Sequence, residues 1–202
     1  MRVGSHLLEK ADLDLIRDPD RRLSDKVMNA LIDLWVKQLA IHNEFVGDTF
    51  IFSSLALSQK DNRNRQRIIQ KILDNKVSYL PIHVPAEFLG DDHWVIAVIE
   101  VFKTDTANKR RLHVKLLDSF DGAKSIKYIQ NVLNDAFKGM EDTTLEYQEV
   151  ISYRQRSNDC GFFAIANLIT QISKSGPLNF RAIEREFRLK AISDILEGKL
   201  VY

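Results

Sequence analysis

Cys160 is the only cysteine in the 202-residue chain, and it stands in "SNDCGFFAIAN", where a polar turn gives way to an apolar run. A thiolate is a strong nucleophile, and the start of a helix favours it through unpaired amide hydrogens and the macrodipole. Gly161 behind it would let a bound substrate approach the backbone. Free cysteine is also among the most buried residue types, so a cysteine beside Phe162 and Phe163 reads first as core packing. The nucleophile reading needs three further parts: an imidazole, a group that orients it, and donors for an oxyanion.

Five histidines are candidates for the imidazole. His6 falls in a loose start and His42 near a loop, while His83 and His113 alternate with apolar neighbours in strands and read as edge or surface residues. His93 differs because it opens the strand "HWVIAVIEVF" directly after the loop "EFLGDD", which places its ring at the rim of a sheet. If that strand pairs antiparallel with "RLHVKLLDSF" and His93 faces Asp118, the hairpin centre falls between Asp105 and Thr106, in the polar loop "KTDTANK". Directly opposed Cβ atoms lie about 5 Å apart, so Asp118 is the expected orienting carboxylate. Glu100 sits too far along the strand and Asp121 lies past its end. The amide of Cys160 is one natural oxyanion donor, and a side-chain amide upstream is the second: Gln155 fits, and Asn158 competes for the role.

Elements of ordinary kind position these residues. "LSDKVMNALIDLWVKQLA" places Leu23, Val27, Leu31, Leu34 and Trp35 at helical spacing with Ser24 or Asp25 as cap, and "DNRNRQRIIQKILDN" gathers Ile68, Ile69, Ile72 and Leu73 on one face. "DTFIFSSLALSQ" reads as a short strand running into a turn. "SYLPIHVP", the His93 strand and the Asp118 strand read as sheet neighbours. A helix over "SIKYIQNVLNDAFKG" ending at Gly139, a strand over "TLEYQEVISY", a buried helix starting at Cys160 and an amphipathic one over "NFRAIEREFRLKAISDILEG" complete the chain. Helices, then strands, then helices predict an α+β domain with a central, mostly antiparallel sheet flanked by helices.

Bulk composition narrows the function. Lysine plus arginine number 29 against 28 aspartates and glutamates, a net charge of +1, so no global field draws the protein to nucleic acid or a membrane. No apolar run approaches the roughly 20 residues of a membrane span, no secretory leader is evident, and a lone cysteine forms no internal disulfide. The expectation is an intracellular monomer, in cytoplasm or nucleus or inside a host cell, with no cofactor and no metal.

The order His93-Trp94, then Asp118-Ser119 at a strand end, then Gln155 before Asp159-Cys160-Gly161 resembles the ubiquitin-like-protein proteases. This is the SUMO (sentrin) protease fold, which also covers related deubiquitinases and the adenovirus protease. "RLSDKVMNALIDLW", "TFIFSSLAL", "YLPIHVPAEFLGDDHWVIAVIEV", "LLDSF", "RQRSNDCGFFAIAN" and "FRAIEREFRLKAISDILEG" resemble successive family elements and span most of the chain. The resemblance implies a papain-like cysteine peptidase with its nucleophile at the N-terminus of a buried helix. It implies one catalytic domain over residues 1–202, with 1–22 an extension and 23–202 the protease core. Cys160 would attack, His93 act as base and acid, Asp118 orient it and Gln155 help hold the oxyanion. The implied partner is ubiquitin or a ubiquitin-like modifier such as SUMO or NEDD8, cleaved after its Gly-Gly terminus, with Trp94 walling the glycine channel and Asp25 contacting the modifier.

Two positions depart from the family pattern. Arg22 stands where an aromatic residue usually closes the channel, leaving it more open or roofed from the "VPAEFLG" loop. Gln155 is five residues before Cys160, not six. Two other functions use similar residues: an effector acetyltransferase that loads acetyl from acetyl-CoA onto the cysteine, and a non-catalytic module that only binds the modifier.

Overall fold

The computed structural model describes residues 2–3, 5–18, 20–36, 49–53, 57, 62–103, 109–120, 123–151, 158–173 and 180–196. Its first finding is order where the sequence suggests a loose, charged start. Two short antiparallel strands, β1 (Arg2–Val3) and β2 (His6–Leu7), lead into helix α1 (Lys10–Arg17). The Asp12 carboxylate accepts the Glu9 amide at 2.8 Å and lies 2.8 Å from Lys26 Nζ. Partial burial works against the charged form of Asp12, but the Glu9 amide and the Lys26 ammonium hold its pKa below the ordinary value. A glutamate is a poor N-cap signal, which is why this helix is hard to read from the sequence.

Helix α2 (Asp25–Leu31) starts at Ser24, whose Oγ accepts the Val27 amide at 3.3 Å, and runs into a π-helical turn, Ile32–Val36. Then follow β3 (Thr49–Ile51), α3 (Asn62–Asp74), β4 (Val77–Val84), the single turn α4 (Ala86–Leu89), β5 (His93–Lys103), β6 (Arg110–Asp118), α5 (Ala123–Ala136) and β7 (Thr143–Ile151). The chain closes with α6 (Cys160–Ser173) and α7 (Phe180–Leu196). These elements form two compact units, one of residues 1–44 and 153–202, the other of residues 45–152.

In the second unit, connection length decides how the strands pair. The sheet order is β3-β4-β5-β6-β7. β4 with β5 and β5 with β6, joined without a long crossover helix, are antiparallel. β3 with β4 and β6 with β7, separated in sequence by α3 and α5, are parallel, as a crossover connection requires. The α+β class holds, and the sheet is mixed: antiparallel at its centre, parallel at both outer pairings. One face presents Leu80, Ile82, Val95, Ala97, Leu112 and Val114 to Ile69 and Ile72 of α3 and to Ile129 and Leu133 of α5. Trp94, Ile96 and Val98 on the other face are buried as well, so β5 reads as a continuous apolar run and not an alternation.

The first unit is built around α6, buried from Cys160 through Leu168. α2 and the π turn pack on α6, and α1 packs on α7. Trp35 Nε1 donates to Asp194 Oδ2 at 2.8 Å, and Lys190 Nζ reaches the same oxygen at 2.6 Å.

Candidate active site

A closed loop delivers His93 to the first position of β5. After Pro85, α4 stops at Gly90, whose φ of 86° is left-handed, a conformation that costs glycine little. Asp92 Oδ1 accepts the Ala86 amide at 3.1 Å, tying the far end of the loop to its start. His93 shares its strand face with Val95, Ala97 and Ile99, and Asp118 shares its own with Leu112, Val114 and Leu116. Both polar residues therefore continue the apolar core face to its end.

The ring and the carboxylate meet: His93 Nε2 lies 2.6 Å from Asp118 Oδ1, and both side chains are 3% exposed. The register differs from the expected one. Ile96 pairs with Leu117 and Lys103 with Arg110, so extending the ladder sets Asp118 across from Val95, and His93 reaches it diagonally. A slip of two residues keeps every side chain on its face, whereas a slip of one would have separated the pair.

Three donors pin the Asp118 carboxylate. Oδ1 also accepts the Phe120 amide at 2.8 Å, and Oδ2 accepts the hydroxyl of Ser125. Ser125 escapes the sequence reading, although a signal exists. With Ile129, Leu133 and Ala136 it forms the buried stripe of α5, and a polar residue in an apolar stripe needs a buried partner. The other described histidines also meet carboxylates: His6 with Asp33 at 3.1 Å, His83 with Asp92 at 3.2 Å and His113 with Glu100 at 3.5 Å, all with partly exposed side chains. Glu100 is further engaged by Lys115 Nζ at 2.6 Å. Burial, which strengthens an electrostatic contact and excludes water, sets the His93–Asp118 pair apart. His42, Asp121 and Gln155 lie outside the described residues.

In the first unit, Cys160 is the first residue of α6, and the preceding Asp159 carbonyl accepts the Phe163 amide at 3.0 Å. The sulfur-bearing residue is 0% exposed, as buried as the core-packing reading has it. Gly161 has a role inside the fold as well: a Cβ there would lie 2.9 Å from Leu23 Cδ1 and 3.0 Å from Leu23 Cβ. Asn158, the competing oxyanion donor, has its side chain engaged elsewhere: Nδ2 donates to the Asp20 carbonyl at 2.9 Å, and Oδ1 accepts from Arg22 Nε at 3.3 Å.

The model of the Ulp1 protease family, C-terminal catalytic domain, matches residues 21–192, most of the chain. The chain belongs to the Ulp1 protease family. As a Ulp1-family domain it is a cysteine peptidase. Solved structures share its fold. The SUMO protease Ulp1, with its catalytic cysteine oxidised to a sulfinic acid, is 16% identical with a TM-score of 0.61, covering 96% of this chain and 86% of that one. A mutant of Xanthomonas XopD is 13% identical with a TM-score of 0.58, covering 86% and 98%. The Legionella pneumophila effector protein RavZ is 10% identical with a TM-score of 0.54, covering 89% and 65%. No curated protein sequence matches significantly.

Within this Ulp1-family domain, Trp94 is 3% exposed and its ring centroid lies 5.0 Å from that of His83, its cross-strand neighbour. Asp25 is exposed in the first turn of α2. Among the described residues no helix is long and apolar enough to cross a membrane, and no cluster of three or more histidine, cysteine or acidic side chains is arranged to hold a metal ion.

Proposed function

We propose that this domain hydrolyses the peptide or isopeptide bond after the C-terminal Gly-Gly of ubiquitin or a ubiquitin-like modifier such as SUMO or NEDD8. The observation that carries the reading is the buried His93–Asp118 pair, 2.6 Å apart, in a Ulp1-family chain whose one cysteine opens a helix. The family match over residues 21–192 covers Cys160, His93 and Asp118 together, which supports assigning all three to one catalytic domain.

An ionised carboxylate offers only acceptors, so Asp118 keeps the proton of His93 on Nε2 and leaves Nδ1 to exchange a proton with the thiol. The Cys160 thiolate attacks the carbonyl carbon of the terminal glycine, and the amide of Cys160 with the side chain of Gln155 receives the oxyanion. The C–N bond breaks as His93 gives its proton to the leaving amine, leaving a thioester. Water then attacks with His93 as base, releasing the glycine carboxylate and the thiol. Trp94 walls the glycine channel, Asp25 contacts the modifier, and with Arg22 in the place of an aromatic residue the half-exposed Phe88 of α4 is a candidate roof.

The test is a panel of ubiquitin, SUMO and NEDD8 bearing C-terminal electrophiles. A covalent adduct on Cys160 with at least one of them is expected. No adduct under conditions where a control protease reacts, together with labelled acetyl transferred from acetyl-CoA to Cys160, would replace hydrolysis by acetyl transfer.

A further inference from the structure

The two residues before Cys160 are held from outside their own loop. Arg188 of α7, 6% exposed, donates from Nε to Asp159 Oδ1 at 2.6 Å, and its Nη2 lies 2.5 Å from the same oxygen. The remaining guanidinium hydrogens go to the N-terminal segment. Nη1 donates to the carbonyls of Ile16 at 3.0 Å and Asp18 at 2.9 Å, and Nη2 to that of Arg21 at 3.0 Å. The guanidinium carbon also stands 5.1 Å from the Phe162 ring centroid, so one side chain touches residues on both sides of Cys160. Asn158 is bracketed by the same N-terminal segment, through the Asp20 carbonyl and the Arg22 side chain.

We infer that Arg188, Arg22 and the carbonyls of Ile16, Asp18, Asp20 and Arg21 form a clamp that positions Cys160 by fixing Asn158 and Asp159. The inference rests on Cys160 being the nucleophile. A buried guanidinium with a rigid fork of donors and four oxygen partners sets the orientation of the 159–160 peptide, and that peptide carries the Cys160 amide as well as its sulfur. A displacement of about 1 Å at a reacting group costs on the order of 100-fold in rate, so the clamp acts on turnover. Arg22 then has a positioning role in this chain, and the N-terminal segment is a working part of the catalytic domain and not an appended extension.

Removing Arg188 leaves Asp159 buried without its cation, and such a variant is at risk of not folding. Arg22→Ala and Asn158→Ala test the clamp at its half-exposed end. Hydrogen exchange of the full chain is expected to show faster exchange in the peptide spanning residues 158–163 in both variants, with the later turns of α6 unchanged. Unchanged exchange overturns the clamp whether or not the protein cleaves any modifier. Kinetics use the aminomethylcoumarin conjugate of whichever of ubiquitin, SUMO and NEDD8 the wild type cleaves. Each single variant is expected to lose about 10-fold in kcat with KM within about twofold, and the double variant to lose no more than the worse single one, as residues acting as a unit do. A raised KM with unchanged kcat would make Arg22 a modifier contact, and losses that multiply would make the two residues independent; either overturns the inference. A wild type that cleaves none of the three defeats the functional reading and leaves the exchange result to decide the clamp.

Discussion

His93 meets Asp118 diagonally across the β5–β6 ladder, Nε2 2.6 Å from Oδ1, in a pairing that sets Val95 opposite the carboxylate. Imidazole and carboxylate span the diagonal because both are long enough to bridge the roughly 7–8 Å between diagonal neighbours. The geometry makes the carboxylate a bracket for the ring, with Ser125 and the Phe120 amide as its other supports.

Asp118→Asn replaces an all-acceptor group by one whose NH2 would face donors. The protein is expected to fold, with stability lower by about 1–3 kcal/mol, and kcat/KM to fall by about 1,000-fold or more through disturbance of the His93 tautomer. Steady-state kinetics with the coumarin conjugate and urea unfolding check the two parts. Activity at the wild-type level would move the orienting role to another residue.

Ser125→Ala removes one support while leaving His93 and Asp118 in place. We expect a loss of about 1 kcal/mol in stability and a fall of about 10-fold in kcat with little change in KM, since the hydroxyl touches the carboxylate and not the substrate. A change in stability with kcat untouched would reduce Ser125 to a packing residue.

Cys160→Ala is expected to abolish turnover and the electrophile adduct. Because the residue is buried, a small packing loss of about 1 kcal/mol accompanies it. A loss above about 3 kcal/mol, read from denaturant unfolding, would favour a packing role for the thiol.

Gly161→Ala gains helix propensity of about 1 kcal/mol but drives a methyl against Leu23, which sits 2.9–3.0 Å from the new carbon at three atoms. Overpacking of this kind costs about 1–3 kcal/mol, so net destabilisation is expected, and its cost should be smaller in a Leu23→Ala background, which removes Cγ and Cδ1 but keeps the Cβ contact. Thermal unfolding of the single and double variants decides it.

Tyr147 supplies a pH signature for the second unit. Its hydroxyl donates to Asn134 Oδ1 at 2.9 Å, and burial pushes its pKa from 10.0 up to about 12. A group with a raised folded pKa contributes stability that is complete below the unfolded value and is lost as pH rises through the folded one. Tm should therefore fall less steeply above pH 10 in Tyr147→Phe than in the wild type. Identical slopes would show that Tyr147 does not drive the alkaline loss.

Most elements of the fold are legible because their signals are local. The stripe of Ile69, Ile72 and Leu73 marks α3, the continuous apolar run after His93 marks a strand buried on both faces, and Gly139, with φ of 89°, lies beyond the C-terminal end of α5. The candidate site is legible in part for the same reason, since His93 and Asp118 sit at strand ends that polar loops announce. Helix α1 is harder to read because its cap is a glutamate. Ser125 is harder still because a serine in an apolar stripe gains meaning only from the partner it meets. Asn158 looks like an oxyanion donor until Asp20 and Arg22 are seen to hold it.

By itself, the sequence determined the α+β class, the family, and which histidine, carboxylate and thiol are candidates for one site. The class and the candidates follow from periodicities and spacings along the chain, and the family from the resemblance of its ordered motifs. Tertiary structure decided the rest: the diagonal His93–Asp118 register, the parallel outer pairings, the hydroxyl of Ser125 behind the carboxylate and the grip of Arg188 on Asp159. Each depends on a short-range hydrogen bond or a strand register between residues distant in the chain, and such contacts exist only once folding has brought their partners within about 3 Å.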